Sequence, residues 1–318
     1  MVYLRLSGRL LINIHTGNAE GAVGNYISLS KMYILRRLPD GKLDFFEEPV
    51  ISGNMIKHWH AIETINILKS MNYSKICEYC SRYVMYRSPF NYDNEAKFIE
   101  NCAIEDLHGF LAPEVGVRRE SIVRFSFLVP VEDMSSKYAA IVHNRVGITK
   151  EGAIDENVMM VFKREYASGL YGFSCALDLS YVGKCQSDPD KVVLDKNDRK
   201  IRVKAAILAL ANILTGNFGA SRTRAMPIVK VTELIGVISK KPIPNLTNGY
   251  YVDYIDENIA RLKSFTAFGF INENDYKIFV IGDHIVKKFE SAGITISKYK
   301  DVVNAMKDIA EVAEEWLE

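Results

Sequence analysis

The chain has 318 residues, 48% of them hydrophobic and 25% charged, enough to bury the core of one large domain or two ordinary ones. Its formal net charge is +1, so overall charge decides nothing about an anionic partner and the distribution has to. The longest uncharged run, 205–221, holds Asn212, Thr215 and Asn217 and is too short and too polar to span a bilayer, which speaks against a membrane partner. Five cysteines (Cys77, Cys80, Cys102, Cys175 and Cys185) are an odd number, and Arg5 and Arg9 interrupt the region where a signal peptide would be apolar. A reduced, cytoplasmic protein is the expectation.

Charge is uneven along the chain. Residues 1–39 carry Arg5, Arg9, Lys31, Arg36 and Arg37 against the single acid Glu20. Segment 199–232 includes Arg199, Arg202, Lys204, Arg222, Arg224 and Lys230 and contains neither Asp nor Glu. Residues 301–318 reverse the sign, with Asp301, Asp308, Glu311, Glu314, Glu315 and Glu318 against Lys307. Such a chain can hold an anionic polymer on one side and a like subunit on another.

In chain order, residues 2–14 alternate. Val2, Leu4, Leu6, Leu10, Ile12 and Ile14 form one face; Tyr3, Arg5, Ser7, Arg9 and Asn13 form the other. The period of two predicts a long strand with one buried face. The exposed face would carry cations, amides and an aromatic ring, a composition suited to single-stranded nucleic acid or simply to solvent. His15 to Asn25 is a glycine-rich loop that matches neither G-x-G-x-x-G nor the Walker pattern.

The stretch Ser52-Gly53-Asn54-Met55-Ile56-Lys57-His58-Trp59-His60 opens a helix expected from Asn54 to about Met71, with Trp59, Ile62, Ile65 and Leu68 as its apolar stripe. A small turn at the positive end of a helix offers N–H groups to a phosphate. Lys57 near that end opposes the dipole by ~0.3–1 kcal/mol, a cost a bound phosphate would offset. His58 and His60 are two residues apart and face different sides of a helix, and no H-E-x-x-H exists, so no metal enzyme follows.

Residues 77–109 read as helical and polar, with Asn94 as an N-cap before Glu95. Cys77-Glu78-Tyr79-Cys80 is a lone C-x-x-C; a zinc site needs further ligands, for which Cys102 and His108 are the nearby candidates, and buried thiols are the simpler expectation. Strands are predicted at 122–131, 157–164 and 171–181, the last two joined as a hairpin through Ala167-Ser168-Gly169. Helix 200–215 is apolar nearly all round, hence buried. Gly216-Asn217-Phe218-Gly219-Ala220-Ser221-Arg222-Thr223-Arg224 then forms a loop in which two arginines could grip phosphate. A strand at 228–238, a loop at Pro242 and Pro244, a short strand at 277–282 and helices near 251–264 and 299–317 complete the chain.

The principal elements read β-α-β-β-α-β, the ferredoxin-like series. The expected fold is therefore α+β: a single modified RRM-like core with insertions at 18–50, 72–120 and 132–170 and a helical C-terminal part over 239–318. Candidate RNA-binding residues are Arg5, Asn18, Ser52, Gly53, Asn54, Lys57, His58, Arg222 and Arg224. No catalytic constellation stands out, and no cofactor or metal is implied. His58 beside the basic turn leaves open an assisted self-cleavage of RNA.

At Pro49 to His60, at the opening strand with its His15-Thr16-Gly17-Asn18 loop, and at Gly216 to Arg222, the sequence resembles the DevR-type backbone subunit of the CRISPR-associated Cascade complex, in its archaeal type I-A branch. The resemblance implies a hand-shaped modified RRM fold. Copies would stack head to tail along CRISPR RNA, beside other Cascade subunits, keeping the guide exposed for pairing with complementary target DNA. It also implies a β-hairpin thumb, for which 157–181 is the candidate. Related type III subunits that cut target RNA carry an Asp upstream of the glycine turn. The comparable loop 17–25 has Glu20 and no Asp, which favours a subunit that does not cut.

Overall fold

A computed structural model describes residues 1–86, 88, 90–149, 151–152, 154–188 and 190–317 (backbone only for 19–23, 145 and 154–160). The elements, in chain order, begin with strands β1 (Tyr3–His15), β2 (Ala19–Val23), β3 (Tyr26–Leu29), β4 (Lys31–Arg37) and β5 (Leu43–Pro49) and helix α1 (Gly53–Ser70). A helical insertion follows: α2 (Glu78–Ser81), α3 (Glu95–Asn101) and α4 (Ala103–His108). Then come β6 (Phe110–Ala112), β7 (Val117–Arg119), β8 (Val123–Phe125), β9 (Val129–Pro130), β10 (Lys137–Ile148), β11 (Ile154–Leu177), α5 (Lys196–Leu214) and β12 (Ile228–Ser239). The chain ends with α6 (Tyr254–Ala267), β13 (Tyr276–Ile281), α7 (Asp283–Ser291), β14 (Ser297–Tyr299) and α8 (Val302–Trp316). No helix among the described residues is long and apolar enough to cross a membrane.

The main sheet is mixed and runs β14-β13-β12-β1-β11, with β8, β9 and β10 paired to different stretches of β11. β1 sits at its centre. It is antiparallel to β11 (Leu4 opposite Leu177) and to β12 (Leu4 opposite Ile238). Leu4, Leu6, Leu10 and Ile12 pack with Val203, Ile207 and Leu210 of α5 and with Met306 and Ile309 of α8. The alternation of β12 serves two cores. Leu234 and Ile238 join that packing, while Ile235 and Val237 meet Tyr254, Ile259 and Leu262 of α6 and Phe289 of α7.

The second face of β1 is also covered, against the sequence expectation of an open platform. Arg5 is 5% exposed. Its Nη2 pairs with Asp178 Oδ1 at 2.7 Å. Ser7 Oγ donates to the Thr247 carbonyl at 2.6 Å and Arg9 Nε to the Gly249 carbonyl at 2.8 Å. Segment 247–250 lies so close that a Cβ on Gly172 would stand 2.1 Å from Tyr250 N, and one on Gly249 2.1 Å from the Gly8 carbonyl oxygen. Glycine is required where two backbones approach this closely. Arg5 is thus a structural ion-pair partner, not a surface cation.

Two further expectations are corrected. Residues 122–131 form two short strands, β8 and β9, instead of one. β11 runs unbroken for 24 residues through Ala167-Ser168-Gly169. These small residues mark an irregularity, not a turn: the β1–β11 register shifts between Ile12 and His15, Ile14 takes φ 50°, and Ser168 Oγ accepts from Ile14 N at 2.9 Å. The hairpin is therefore β10 with the first half of β11, from Lys137 opposite Ser168 to Ile148 opposite Ile154.

A buried ionic network ties the helical insertion to α5. Arg119 Nη1 meets Glu95 Oε1 at 2.6 Å and its Nη2 meets Asp106 Oδ1 at 2.8 Å, while Arg202 Nη1 meets Asp106 Oδ2 at 2.9 Å. Asp106 also accepts from Gly183 N at 3.0 Å. Arg199 donates to the Val182 carbonyl at 2.8 Å. Two cations of the supposed basic segment, Arg199 and Arg202, are in this way interior. Asp106→Asn would leave a buried cation uncompensated and should cost about 3–5 kcal/mol, read as a lowered urea midpoint.

Three histidines are buried, His15, His60 and His108, and the first two are held neutral. Burial lowers His15 and His60 to about 4. His15 Nε2 lies 2.8 Å from Tyr171 Oη, and His60 Nε2 donates to the Ala206 carbonyl at 2.8 Å. The unfolded chain takes up protons near pH 6.5 that the folded chain refuses. Stability should therefore fall as pH drops from ~6.5 towards ~4, by on the order of 3 kcal/mol per histidine. Urea titrations at pH 7 and pH 4.5 check this, and His60→Gln should flatten the dependence.

Candidate nucleic-acid interface

Three loops converge where β1 ends and α1 begins. β1 delivers His15, Thr16, Gly17 and Asn18. Asn18 then makes a reciprocal pair with Ser52: Nδ2 donates to Ser52 Oγ at 2.9 Å, and Ser52 N donates to Asn18 Oδ1 at 2.9 Å. Ser52 Oγ in turn accepts from Met55 N at 3.2 Å, the N-cap of α1. The third loop follows α5, with Ala220 N donating to the Gly17 carbonyl at 3.1 Å. Gly17, Gly216 and Gly219 take φ of 45°, 106° and 116°, the left-handed region that lets both loops turn back.

The pairings redefine individual residues. Gly53 is buried, and a Cβ there would lie 2.4 Å from the Phe125 carbonyl oxygen. Its role is close contact between α1 and β8, not a flexible cradle. Asn54 is exposed in a first turn that holds no acid, Lys57 is half-buried one turn on, and His58 is exposed. His60 points inward to His108, with Nδ1 and Nε2 3.2 Å apart. His58 and His60 therefore face opposite ways.

Arg222 lies flat over Trp59, its Cζ 3.8 Å from the ring centroid, a cation–π contact that orients the guanidinium at the surface. Arg224 is exposed, with Cζ 5.3 Å from the Phe162 ring. Phe162 stacks on His143 of β10 at 5.2 Å. Arg164 Nη1 bonds Ser221 Oγ and so joins the base of the hairpin to the arginine loop. Trp59, Phe162 and Arg164 were not expected at this seam. Trp59 fits the helical stripe and β11 reads as a broken hairpin, so spacing alone gives them no signal.

The result is a seam of cations in which Arg164, Arg222 and Arg224 are held by Ser221, Trp59 and Phe162 in that order, with Lys57 on the adjacent first turns of α1. Arg guanidinium groups and the acid-free start of a helix suit phosphate oxygens, and exposed rings suit bases. Of the nine candidate residues, Asn18, Ser52, Arg222 and Arg224 lie on or beside these loops, Gly53, Asn54, Lys57 and His58 lie in the first turns of α1, and Arg5 is at neither place. The side chain of Glu20 lies outside the described residues. Elsewhere the basic ends are largely matched within the chain: Arg36 with Glu48 at 2.9 Å, Lys31 with Glu165 at 3.3 Å and Lys204 with Glu314 at 3.2 Å.

Comparison with known proteins identifies the family. The family model described as CRISPR-associated negative auto-regulator DevR/Csa2 matches residues 6–259. A CRISPR-associated protein Cas7/Cst2/DevR of Methanocaldococcus jannaschii is 38% identical, over 85% of this chain and 91% of its own. One of the same description from Thermoproteus tenax is 33% identical over 83% of this chain and 82% of its own. An aCascade subunit Cas7/Csa2 of Saccharolobus solfataricus is 26% identical over 97% and 98% of the two chains. Among solved structures, a chain of a CRISPR RNA-guided surveillance complex in a pre-nicking state superposes with a TM-score of 0.54 over 98% of this chain and 99% of its own, at 10% identity, a likeness of fold. By family model and sequence identity together, the chain belongs to the DevR/Csa2 family of CRISPR-associated Cas7 proteins.

Proposed function

We propose that the protein is a non-catalytic backbone subunit that binds CRISPR RNA in the cytoplasm. Copies of it polymerise along the guide and present it for pairing with target DNA. The observation that carries the reading is the seam of Lys57, Arg164, Arg222 and Arg224, with Arg222 held on Trp59 at 3.8 Å. It fits a ligand gripped by its phosphates, with sequence left to base pairing. The antiparallel order β12-β1-β11-β8, with α1 and α5 on one face, supports describing the core as modified RRM-like. The open face such a core would use is closed here by segment 247–250. RNA is therefore assigned to the loop edge. The β10–β11 hairpin, with Ile141, Val142 and Ile148 exposed, is the natural thumb towards a neighbouring copy.

A nuclease would need a general base at the seam. His15 is buried and neutral, which leaves exposed His58 and half-buried His143. Incubation with labelled repeat RNA is expected to leave it intact; cleavage abolished by His58→Ala would replace the reading with a processing endoribonuclease.

Single-stranded RNA of unrelated sequences should bind with similar affinity and weaken steeply as salt rises. Each of Lys57→Ala, Arg222→Ala and Arg224→Ala should weaken all sequences alike and reduce the salt slope by ~0.7 per lost phosphate contact. Filter binding over a salt series measures this, and unchanged slopes in all three variants would remove RNA from the seam.

A further inference from the structure

The helical insertion brings the Cys77–Cys80 pair together with a third thiol, Cys102, distant in sequence. Cys77 and Cys80 flank the start of α2, and Cys102 separates α3 from α4. Their Sγ atoms all lie within 4.8 Å of one another, and all three residues are buried. Ala103 N donates to the Lys75 carbonyl at 3.0 Å and clamps the two segments side by side. Cys80 N donates to Cys77 Sγ at 3.5 Å, an amide aimed at sulfur of the kind that supports a coordinating thiolate. None of the three is in a disulfide.

We propose that Cys77, Cys80 and Cys102 form a structural site for a thiophilic divalent cation, zinc by preference. Mutually adjacent sulfurs from a C-x-x-C and a third cysteine match the thiolate-rich tetrahedral sets of structural zinc. On coordination the three thiols give up their protons to solvent, and three sulfurs with a divalent ion leave a net charge of about −1. A neutral fourth ligand such as water adds nothing to it. Lys69, whose Nζ donates to the Ser81 carbonyl at 2.6 Å beside α2, supplies positive charge nearby.

The metal would staple the insertion to α1, since Ala61 and Ile65 of that helix pack against these cysteines with Ile104 of α4. Its position is behind the RNA seam, not in it, so the role is mechanical.

Full-length protein purified without chelator should carry about one zinc per chain by mass spectrometry of the metal, and dialysis against a chelator should lower its melting temperature by several degrees. Chelated protein given Co2+ should show thiolate-to-metal charge-transfer absorption in the near ultraviolet. Cys77→Ser, Cys80→Ser and Cys102→Ser should each lose the metal, while Cys185→Ser keeps it. Because the serine variants can fail to fold, the cobalt spectrum of the unaltered protein decides. No thiolate band and no stoichiometric zinc there, a Cys77–Cys80 disulfide in the purified protein, or metal retained in folded serine variants would overturn the site.

Discussion

β1 is hydrogen-bonded on both edges and buried on both faces over its first half, and nearly every other element takes its position from it. Its register with β11 and β12 fixes the centre of the sheet. Its inward residues set the depth of α5 and α8, and Gly8, Ser7 and Arg9 set how closely segment 247–250 can lie. A strand enclosed on four sides cannot slide by one residue without turning Leu4 and Leu6 into the polar contacts and Arg5 and Ser7 into the core. That constraint delivers Asn18 to Ser52 with little freedom, and the seam is built on the meeting.

Closure of the sheet's second face has a direct functional meaning. A flat sheet can offer rings for bases to stack on. Here the equivalent surface is occupied by the chain's own backbone, and what remains accessible is the rim, where loops and arginines dominate. Recognition at a rim of cations favours phosphate over base, and so favours a ligand of any sequence. The proposed ligand, an RNA whose bases stay available to another strand, would require this.

Much of the architecture was readable from local patterns. The period of two over 2–14 and the helical run after Ser52 correspond to β1 and α1 within a residue or so, because each pattern is written out in full within its own segment even though β1 pairs with distant strands. The same holds for α5 and β12, although the cap at Asp195 starts the helix earlier than the apolar run implies. What was not readable depends on residues far away. Arg5 looks exposed until Asp178 and the 247–250 segment are known to cover it. Ala167-Ser168-Gly169 has the composition of a turn but serves an irregular pairing in one long strand. Arg164 at the seam is a contact of the folded chain that no spacing rule encodes, and of the two candidates beside Cys77 and Cys80 it is the fold that selects Cys102 over His108.

β11 crosses from the sheet centre to the hairpin tip without interruption, a contour of up to roughly 80 Å at ~3.3 Å per residue. A hinge at the hairpin base would have allowed its tip to search. A continuous strand paired with β1 from Ala167 to Leu177 and tied to Ser221 through Arg164 leaves no such hinge at the root of the hairpin. The strand that pairs with the centre of the sheet is thus the same one that reaches the arginine loop.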